Sequence, residues 1–384
     1  MPPNNTAGDE PSLKKGMMMM TNRQSFCSGL GVLAGIVLCT VSCSVVSAQQ
    51  SKLRVMQTNS AGDNIHIIDA VTNKVMGEIK GIEAPHGVTV APDGSRIYVS
   101  EEAGDTLVVL DGKTLRETKR IPLSGTPNLV DITPDGKQIY VAITLSWTDL
   151  SNFPEIKAAP SGGVDVIDAT SLQNIKTIQI RGGIHDLNVT PDGKYVVAGS
   201  ARGAKPPARL MTVIDTQTHE VAWTVSISPG PSPMAISKRP DGSTDKVFAQ
   251  DGTTNSFFVV DFATHVVTNN IKLPDIAPAQ QNPFAPPSPS HGMVVTSDQK
   301  TLLVNSRLNS TLYAYSLPDL KLLGGAALGG KGAEWLTITP DNKTAYVANS
   351  HTNNVSVVDI ASMKEIALIP VGFAPARNIA WIAP

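Results

Sequence analysis

The stretch NIHIIDAVTN (residues 64–73) decides the fold of this chain, because six variants of it follow. Each variant is a short apolar run, rich in β-branched residues, that ends in Asp or Ser and continues into a polar turn. The variants occupy residues 106–115, 163–172, 210–219, 256–265, 311–320 and 354–363. Such regular repetition is typical of an array of β-units rather than of one ordinary core.

Two further landmarks recur with each unit. One is a Pro-Asp-Gly turn, as at residues 92–94 and 134–136, and the other is an alternating strand directly after it, such as RIYVS (96–100). Pro and Gly supply the backbone angles of tight hairpin turns. Each unit therefore contains four short antiparallel strands, which is the blade of a β-propeller.

The two ends of the repeat region complement each other. Residues 53–58 resemble a second strand without a first, and residues 376–382 resemble a first strand without the following three. Pairing between them would leave no open sheet edge at the seam. We expect an all-β fold: residues 49–384 form a seven-bladed β-propeller, with four antiparallel strands per blade, closed by the C-terminal strand in the N-terminal blade.

The repeats resemble those of the YVTN family of bacterial β-propellers. The resemblance rests on YVS (98–100), YVA (140–142) and YVANS (346–350), with the Pro-Asp-Gly turns and the V-x-V-[IV]-D strands. It implies a WD40-like propeller over nearly all of residues 49–384. Members of this and neighbouring families include surface proteins, lactonase-like proteins, partners of quinone-dependent dehydrogenases and haem d1 domains. The resemblance therefore implies a fold and leaves the function open.

The first 48 residues have the pattern of a targeting segment with an upstream extension. Arg23 precedes an apolar run over residues 29–46, and VSA (46–48) offers a small-x-small cleavage site. This is the order of a secretory signal peptide. We expect cleavage after Ala48 and a periplasmic or secreted protein with no transmembrane helix after cleavage. Lipid attachment at Cys43 is the alternative, although TVS before it is a poor lipobox.

Composition excludes several classes of function. The net charge of -2 offers no basic surface for nucleic acid. All three cysteines precede the cleavage site, so the mature chain has no thiol for catalysis, disulfides or covalent haem attachment. A Gly-rich phosphate loop, an HExxH helix and a serine nucleophile elbow are absent from the sequence.

Three of the seven histidines occupy one repeat position, where the first strands begin. Our alignment of the seven units places these residues there: His86, Asn128, His185, Met234, His291, Glu334 and Arg377. A seven-fold ring directs such side chains towards one axis. We therefore expect His86, His185 and His291 to bind a divalent transition metal. Glu334 would be a fourth ligand or a general base, and Arg377 would hold an anion. A polar channel lining is the alternative interpretation.

A second ring of polar residues lies where the second strands end. In chain order its members are Asn59, Glu101, Ile143, Ser200, Asp251, Arg307 and His351. We expect the charged members of this ring, with Asn128, to recognise a polar ligand. The long insertions at 146–162, 200–209 and 274–290 fall on the same face, where binding usually occurs. The repeated Asp of each unit instead caps a turn, because its carboxylate accepts N–H groups two residues on.

Three hypotheses follow. The first is an exported binding module, expected to be monomeric, that holds a small ligand, a cofactor or a periplasmic partner protein on the looped face. The second is a metal-dependent enzyme, either a lactonase-like hydrolase or an isomerase, built on the three histidines; in a related version they surround a non-covalent tetrapyrrole. The third is a structural surface protein whose repeats only present loops.

Overall fold

A computed structural model describes residues 52–144, 162–180, 182–200, 210–227, 230–283 and 288–384 of the chain. These residues belong to one compact unit, Val45–Pro384. They form 28 β-strands in seven four-stranded antiparallel sheets, with one 3₁₀ helix at Pro278–Gln280. The predicted seven-bladed propeller is confirmed. The predicted signal peptide, Cys43, nearly all of the loops at 146–162 and 200–209, and residues 284–287 of the third loop lie outside the described residues.

The strands follow the chain blade by blade. Blade one holds β1 (Leu53–Asn59), β2 (Asn64–Asp69), β3 (Lys74–Lys80) and the last strand of the chain. Blade two holds β4 (Pro85–Val90), β5 (Arg96–Glu101), β6 (Thr106–Asp111) and β7 (Glu117–Pro122). Blade three holds β8 (Pro127–Ile132), β9 (Gln138–Ile143), β10 (Gly163–Asp168) and β11 (Gln173–Gln179). Blade four holds β12 (Ile184–Val189), β13 (Tyr195–Ser200), β14 (Leu210–Asp215) and β15 (Val221–Ser226).

Blade five holds β16 (Pro231–Lys238), β17 (Thr244–Asp251), β18 (Ser256–Asp261) and β19 (Val266–Lys272). Blade six holds β20 (Ser290–Val295), β21 (Thr301–Ser306), β22 (Thr311–Ser316) and β23 (Leu322–Ala327). Blade seven holds β24 (Ala333–Ile338), β25 (Thr344–Asn349), β26 (Asn354–Asp359) and β27 (Lys364–Pro370). The last strand, β28 (Pro375–Ile382), completes blade one.

The seam closes as the sequence predicts. β28 pairs antiparallel with β1, with Leu53 opposite Ile382 and Met56 opposite Ile379. The first strand of each blade packs beside the first strand of the next, and β28 packs beside β4. The inner ring is therefore continuous, and the backbone groups at the seam are paired within blade one.

The core lies between neighbouring blades. The second and third strands are buried on both faces, because each blade is covered by a blade on either side. One such layer joins Leu129 and Tyr140 of blade three to Val196 and Ile214 of blade four. The outermost strands alternate between exposed and partly buried residues, as expected for a strand with one wet face.

Both kinds of turn behave as the sequence predicts. Gly94 and Gly136 in the Pro-Asp-Gly turns have φ values of 72° and 71°, a region that glycine enters without steric cost. In the Asp turns, Asp69 Oδ1 accepts the backbone N–H groups of Val71 at 2.8 Å and Thr72 at 3.0 Å. The structural role of the repeated Asp is confirmed. These turns form the turn face of the propeller, opposite the face where the first strands begin.

Candidate functional site at the channel mouth

A β-bulge at the start of each first strand shapes the candidate site. In β4, Pro85 lies opposite Glu101 and Val88 lies opposite Val99, so three steps on β4 match two on β5. A comparable shift occurs near the start of the other six first strands. A bulge adds one residue and re-aims side chains. Consecutive residues of these strands can therefore contribute to one cluster, together with Glu102, which directly follows β5. We call it the mouth cluster; its members are His86, Glu102, Asn128, His185, Asp186, Ser232, His291, Glu334, Trp335 and Arg377.

Strand pairing defines two tiers of residues at the mouth. The first tier, at the level of His86, contains His86, Asn128, His185, Ser232, His291, Glu334 and Ala376. The second tier, one residue later, contains Gly87, Leu129, Asp186, Pro233, Gly292, Trp335 and Arg377.

The sequence alignment is wrong in two blades. In blade five the alignment placed Met234 in the ring, but Met234 pairs with Ala249, the core position of Val88, and Ser232 occupies the first tier. The two prolines of Pro-Ser-Pro caused the error, because either can match the proline before His86. In blade one Arg377 belongs to the second tier, since Pro375 pairs with Asn59 and so corresponds to Pro85.

The centre of the mouth cluster joins residues from five blades. His185 Nδ1 lies 2.6 Å from Ser232 Oγ. The imidazole rings of His185 and His291 meet edge to face, with their centroids 5.9 Å apart. His291 meets the Trp335 indole in the same manner at 5.6 Å. The Arg377 guanidinium lies over that indole. Five side chains from separate blades therefore form one continuous chain of contacts.

A buried ion pair joins Arg377 of blade one to Asp186 of blade four. Arg377 Nη2 donates to Asp186 Oδ1 at 2.8 Å, and Asp186 Oδ2 accepts the backbone N–H of Met234 at 2.7 Å. The Asp186 side chain is 0% exposed and that of Arg377 is 7% exposed. Burial raises the pKa of Asp186, against the opposing effect of Arg377. Burial lowers the pKa of Arg377 to about 9, although the two nearby carboxylates oppose the shift.

A second carboxylate near Arg377 is Asp131 on β8. It accepts the N–H groups of Ile132 and Val189 at 2.9 and 2.8 Å. Burial raises its pKa to about 6, while these two hydrogen bonds and the charge of Arg377 lower it. Removal from water disfavours the charged form of a carboxyl group and so raises its pKa. The channel therefore holds one cation and two carboxyl groups in close electrostatic contact.

Glu334 is engaged on several sides. Its carboxylate forms an ion pair with Arg307 and accepts the Ser350 hydroxyl at 2.8 Å. His291 Nδ1 lies 2.9 Å from the Glu334 carbonyl oxygen. A carbonyl only accepts, so Nδ1 of His291 carries the proton. His351 belongs to the same region, because burial and the positive charge of Arg307 both lower its pKa.

On the other side of the mouth, Asn128 Nδ2 donates to Glu102 Oε1 at 3.1 Å. Burial raises the pKa of Glu102 to about 7, against the opposing effect of this hydrogen bond. Burial, reinforced by the charge of Arg377, lowers the pKa of His86 to about 3. His86 is thus neutral at physiological pH. Its Nδ1 is buried and has no hydrogen-bond partner among the described residues.

Polar residues of the second strands hold the first strands in place. Thr58 Oγ1 donates to the His86 carbonyl at 2.8 Å. Ser100 Oγ accepts the Gly87 N–H at 2.6 Å and donates to the Asn128 carbonyl. Each hydroxyl therefore fixes the backbone of a first strand in the next blade, which orients the mouth side chains. Such fully bonded buried hydroxyls impose a specific geometry.

Two predicted ligand-binding residues are not part of the mouth cluster. Glu101 accepts the Glu83 N–H at 3.0 Å and the Thr106 hydroxyl at 2.6 Å, and it is paired with Arg120 of the outermost strand. Asp251 accepts hydrogen bonds from Thr253, Thr254 and Ser256 within its own turn. Both carboxylates stabilise loops.

The second ring was also misaligned in two blades. Ser306 pairs with Ser290, and Asn349 pairs with Ala333, so these two residues correspond to Glu101. Arg307 and His351 follow them in the chain. The extra step brings the Arg307 side chain to Glu334, and His351 lies within the electrostatic influence of Arg307.

The three histidines are not assembled as one ligand set. The structure brings His185 and His291 into contact, with Ser232 in the blade between them. In the part of the chain that the structure describes, no group of three or more His, Cys, Asp or Glu side chains is placed to hold a metal ion. As placed, the three histidines do not form the predicted ligand set, and metal binding stays a prediction.

Sequence reasoning missed four members of the cluster. Asp186, Trp335 and Glu102 each directly follow a residue that was singled out, so the signal was the neighbouring position. Ser232 lies in the aligned segment of blade five, two residues before Met234, the residue that the alignment placed in the ring. The bulge, which no residue type announces, decides which of two neighbours faces the channel.

Among the described residues there is no helix with the length and apolar character needed to cross a membrane.

Comparison with known proteins identifies the fold. No family model matches the chain, and no curated protein matches it. Hydrazine synthase of Kuenenia stuttgartiensis is 23% identical, with a TM-score of 0.66, over 82% of this chain and 94% of that one. The periplasmic gluconolactonase of Pseudomonas aeruginosa is 17% identical, with a TM-score of 0.65, over 86% and 100%. A dihydro-heme d1 dehydrogenase is 14% identical, with a TM-score of 0.60, over 87% and 76%. At these identities the likeness concerns the fold alone.

Proposed function

We propose that this chain is an exported β-propeller of the YVTN type that binds a small polar ligand at its channel mouth. The observation that carries the proposal is the continuous contact of His185, Ser232, His291, Trp335 and Arg377, which come from five blades. Turns and strands of a propeller need no such cluster. Clustered titratable groups are typical of binding and catalysis.

The charges at the mouth favour an uncharged ligand. Arg377 is paired with Asp186, and Arg307 is paired with Glu334. An anion would have to compete with these carboxylates, and breaking a buried pair is unfavourable. The partly exposed members of the cluster are His86, Glu102, His185, Ser232 and Glu334. Hydroxyl and imidazole groups suit a ligand rich in hydroxyl or carbonyl groups, such as a sugar or a sugar lactone.

The structural likeness to a periplasmic gluconolactonase makes a sugar lactone the first ligand to test. A differential scanning fluorimetry panel would contain D-glucono-1,5-lactone, D-glucose, D-gluconate and hemin. We expect an uncharged sugar or lactone to raise the melting temperature, because ligands that bind only the native state stabilise it. We expect the shift to disappear in His185→Ala and to persist in the turn variant Asp168→Ala. The absence of any shift, or an equal shift in both variants, would overturn the proposal.

The metal-dependent enzyme stays a prediction with its own test. His86 favours it locally, because a neutral imidazole with a buried, unpartnered Nδ1 is suited to a ligand role. Elemental analysis of protein purified without chelators or a His tag would be compared with His86→Ala. About one transition metal per chain, lost in the variant, would replace the binding proposal with the metal-dependent one. Export is tested separately by the N-terminal sequence of the secreted product, which we expect to begin at Gln49.

A further inference from the structure

The channel mouth contains a hydroxyl–imidazole pair. Ligand binding alone does not require such a pair. Ser232 Oγ and His185 Nδ1 are 2.6 Å apart, in neighbouring blades. Both residues keep partial exposure, whereas Asp186, His291 and Arg377 in the same cluster are buried. A molecule in the channel mouth would therefore meet this pair.

We propose that Ser232 is a nucleophile and His185 its general base, so that the propeller hydrolyses an ester or lactone through an acyl-enzyme. The inference rests on the proposed function, because the pair acts on a ligand held at the mouth. A serine hydroxyl is a weak nucleophile until a base within about 2.6–3.2 Å can take its proton. The observed separation meets this requirement.

The geometry orients the base. In the tautomer with its proton on Nε2, His185 uses Nδ1 to accept the Ser232 hydroxyl proton. The ring plane of His185 is held by the edge-to-face contact with His291 at 5.9 Å. His291 is fixed in turn by its hydrogen bond to the Glu334 carbonyl at 2.9 Å. A base oriented by a third group is the general arrangement of serine hydrolases, whatever the fold.

The backbone restrains the nucleophile. Ser232 lies between Pro231 and Pro233, whose rings fix φ and remove two N–H groups. Pro231 is anchored opposite Asp251 in the sheet. The hydroxyl is therefore presented from a rigid strand start. A nucleophile elbow uses a different backbone, which explains why the sequence carries no such motif.

A buried ion pair braces the strand that carries the nucleophile. Asp186 accepts a hydrogen bond from Arg377 Nη2 and another from the backbone N–H of Met234, two residues after Ser232. The start of this strand is therefore tied to blades one and four, which holds the Ser232 hydroxyl in place.

Besides the ester or lactone, the acylation and deacylation of Ser232 consume only water. Ser232 Oγ forms a bond to the acyl carbon while its proton passes to His185 Nδ1. The carbon–oxygen bond to the leaving alkoxide then breaks, and His185 returns the proton to that alkoxide. For a lactone, the freed hydroxyl stays on the acyl group. Water, deprotonated by His185, attacks the acyl-enzyme, and the proton returns to Ser232 as the acid leaves.

Labelling with diisopropyl fluorophosphate tests the pair on the intact chain. In this reaction Ser232 Oγ bonds to phosphorus, fluoride leaves and the proton passes to His185. We expect one adduct per chain by intact mass, and peptide mapping should place it on Ser232. The rate should fall at least about 100-fold in His185→Ala, the usual contribution of a general base. The control Ser237→Ala, a buried serine on the same strand, should label as the wild type does.

Labelling tests the nucleophile, and the fluorimetry panel tests ligand binding. No adduct in the wild type, or an adduct on another residue, overturns the nucleophile, and the fluorimetry panel then reports separately whether the mouth still binds a sugar or lactone. An unchanged rate in His185→Ala overturns the assigned base. Peptide mapping on the wild type keeps the test valid even if a variant folds poorly.

Discussion

The turn face and the channel mouth of this propeller are built by opposite rules. On the turn face, Asp111 Oδ1 accepts the N–H of Thr114 at 2.7 Å and its hydroxyl at 2.8 Å, three residues away. At the mouth, His185 reaches a residue 47 positions away and Arg377 reaches one 191 positions away. Repeated, locally satisfied residues therefore specify the fold, and residues that differ between repeats and bond across blades specify the site.

The same contrast appears in the electrostatics. Hydrogen bonds from turn N–H groups lower the pKa of Asp111 and of Asp168. In the channel and at its mouth, burial raises the pKa of Asp131 to about 6 and of Glu102 to about 7. A carboxylate in a turn is stabilised in its charged form, whereas one at the mouth is destabilised. Perturbation in that direction is a frequent property of functional sites.

The largest effect is expected from breaking the ion pair at the mouth. Arg377→Met leaves the fully buried Asp186 without its cation, so we expect the free energy of unfolding to fall by about 3 kcal/mol. Urea denaturation measures the change. The double variant Arg377→Met/Asp186→Asn should recover part of the loss, because no unpaired charge remains. A loss below about 1 kcal/mol in the single variant would contradict the burial argument.

A smaller effect is expected from Glu102→Gln, and it depends on pH. The folded pKa of Glu102, about 7, lies above its ordinary value. The unfolded chain therefore ionises first as pH rises, and the native state loses stability up to about pH 7. Glutamine avoids this loss and can still accept from Asn128. We expect the variant to be more stable than the wild type at pH 8, by on the order of 2 kcal/mol, and nearly equal near pH 4.

Urea unfolding at both pH values tests this prediction, with Glu83→Gln as the control because Glu83 is exposed. Equal stabilities of Glu102→Gln and the wild type at pH 8 would show that the Glu102 carboxyl is not buried as described.

The smallest effect is expected on the turn face. Asp168→Ala removes hydrogen bonds from Thr170 and Ser171 in an exposed turn. Water replaces these partners, so we expect a loss of only about 1 kcal/mol in thermal or urea unfolding. Ligand binding at the mouth should not change. If this variant lost as much stability as Arg377→Met, the division between local and cross-blade stabilisation would be wrong.

The fold could be predicted from the sequence because its determinants are local. Each Asp turn and each Pro-Asp-Gly turn is complete within a few residues, and the incomplete first and last units match each other. The first tier could be predicted in five blades. It failed in blade five, where either proline of Pro-Ser-Pro can match the proline before His86, and in blade one, where only the pairing of Pro375 with Asn59 fixes the register.

The contacts of the site could not be read from the sequence. Glu101 and Glu102 have identical side chains. Glu101 nevertheless stabilises a loop through Arg120, whereas Glu102 faces Asn128. The Ser232–His185 pair depends on the distance between two blades, which no repeat pattern contains. The YVTN resemblance likewise implied the fold and not these contacts.

The most direct test of the central claim is calorimetric titration of the strongest binder in the sugar and lactone panel into three proteins. These are the wild type, His185→Ala and Asp168→Ala, measured well below their melting temperatures. We predict that Kd rises at least about tenfold in His185→Ala, a loss of about 1.4 kcal/mol, and is unchanged in Asp168→Ala. Equal affinity in all three proteins would contradict the assignment of the channel mouth as the binding site.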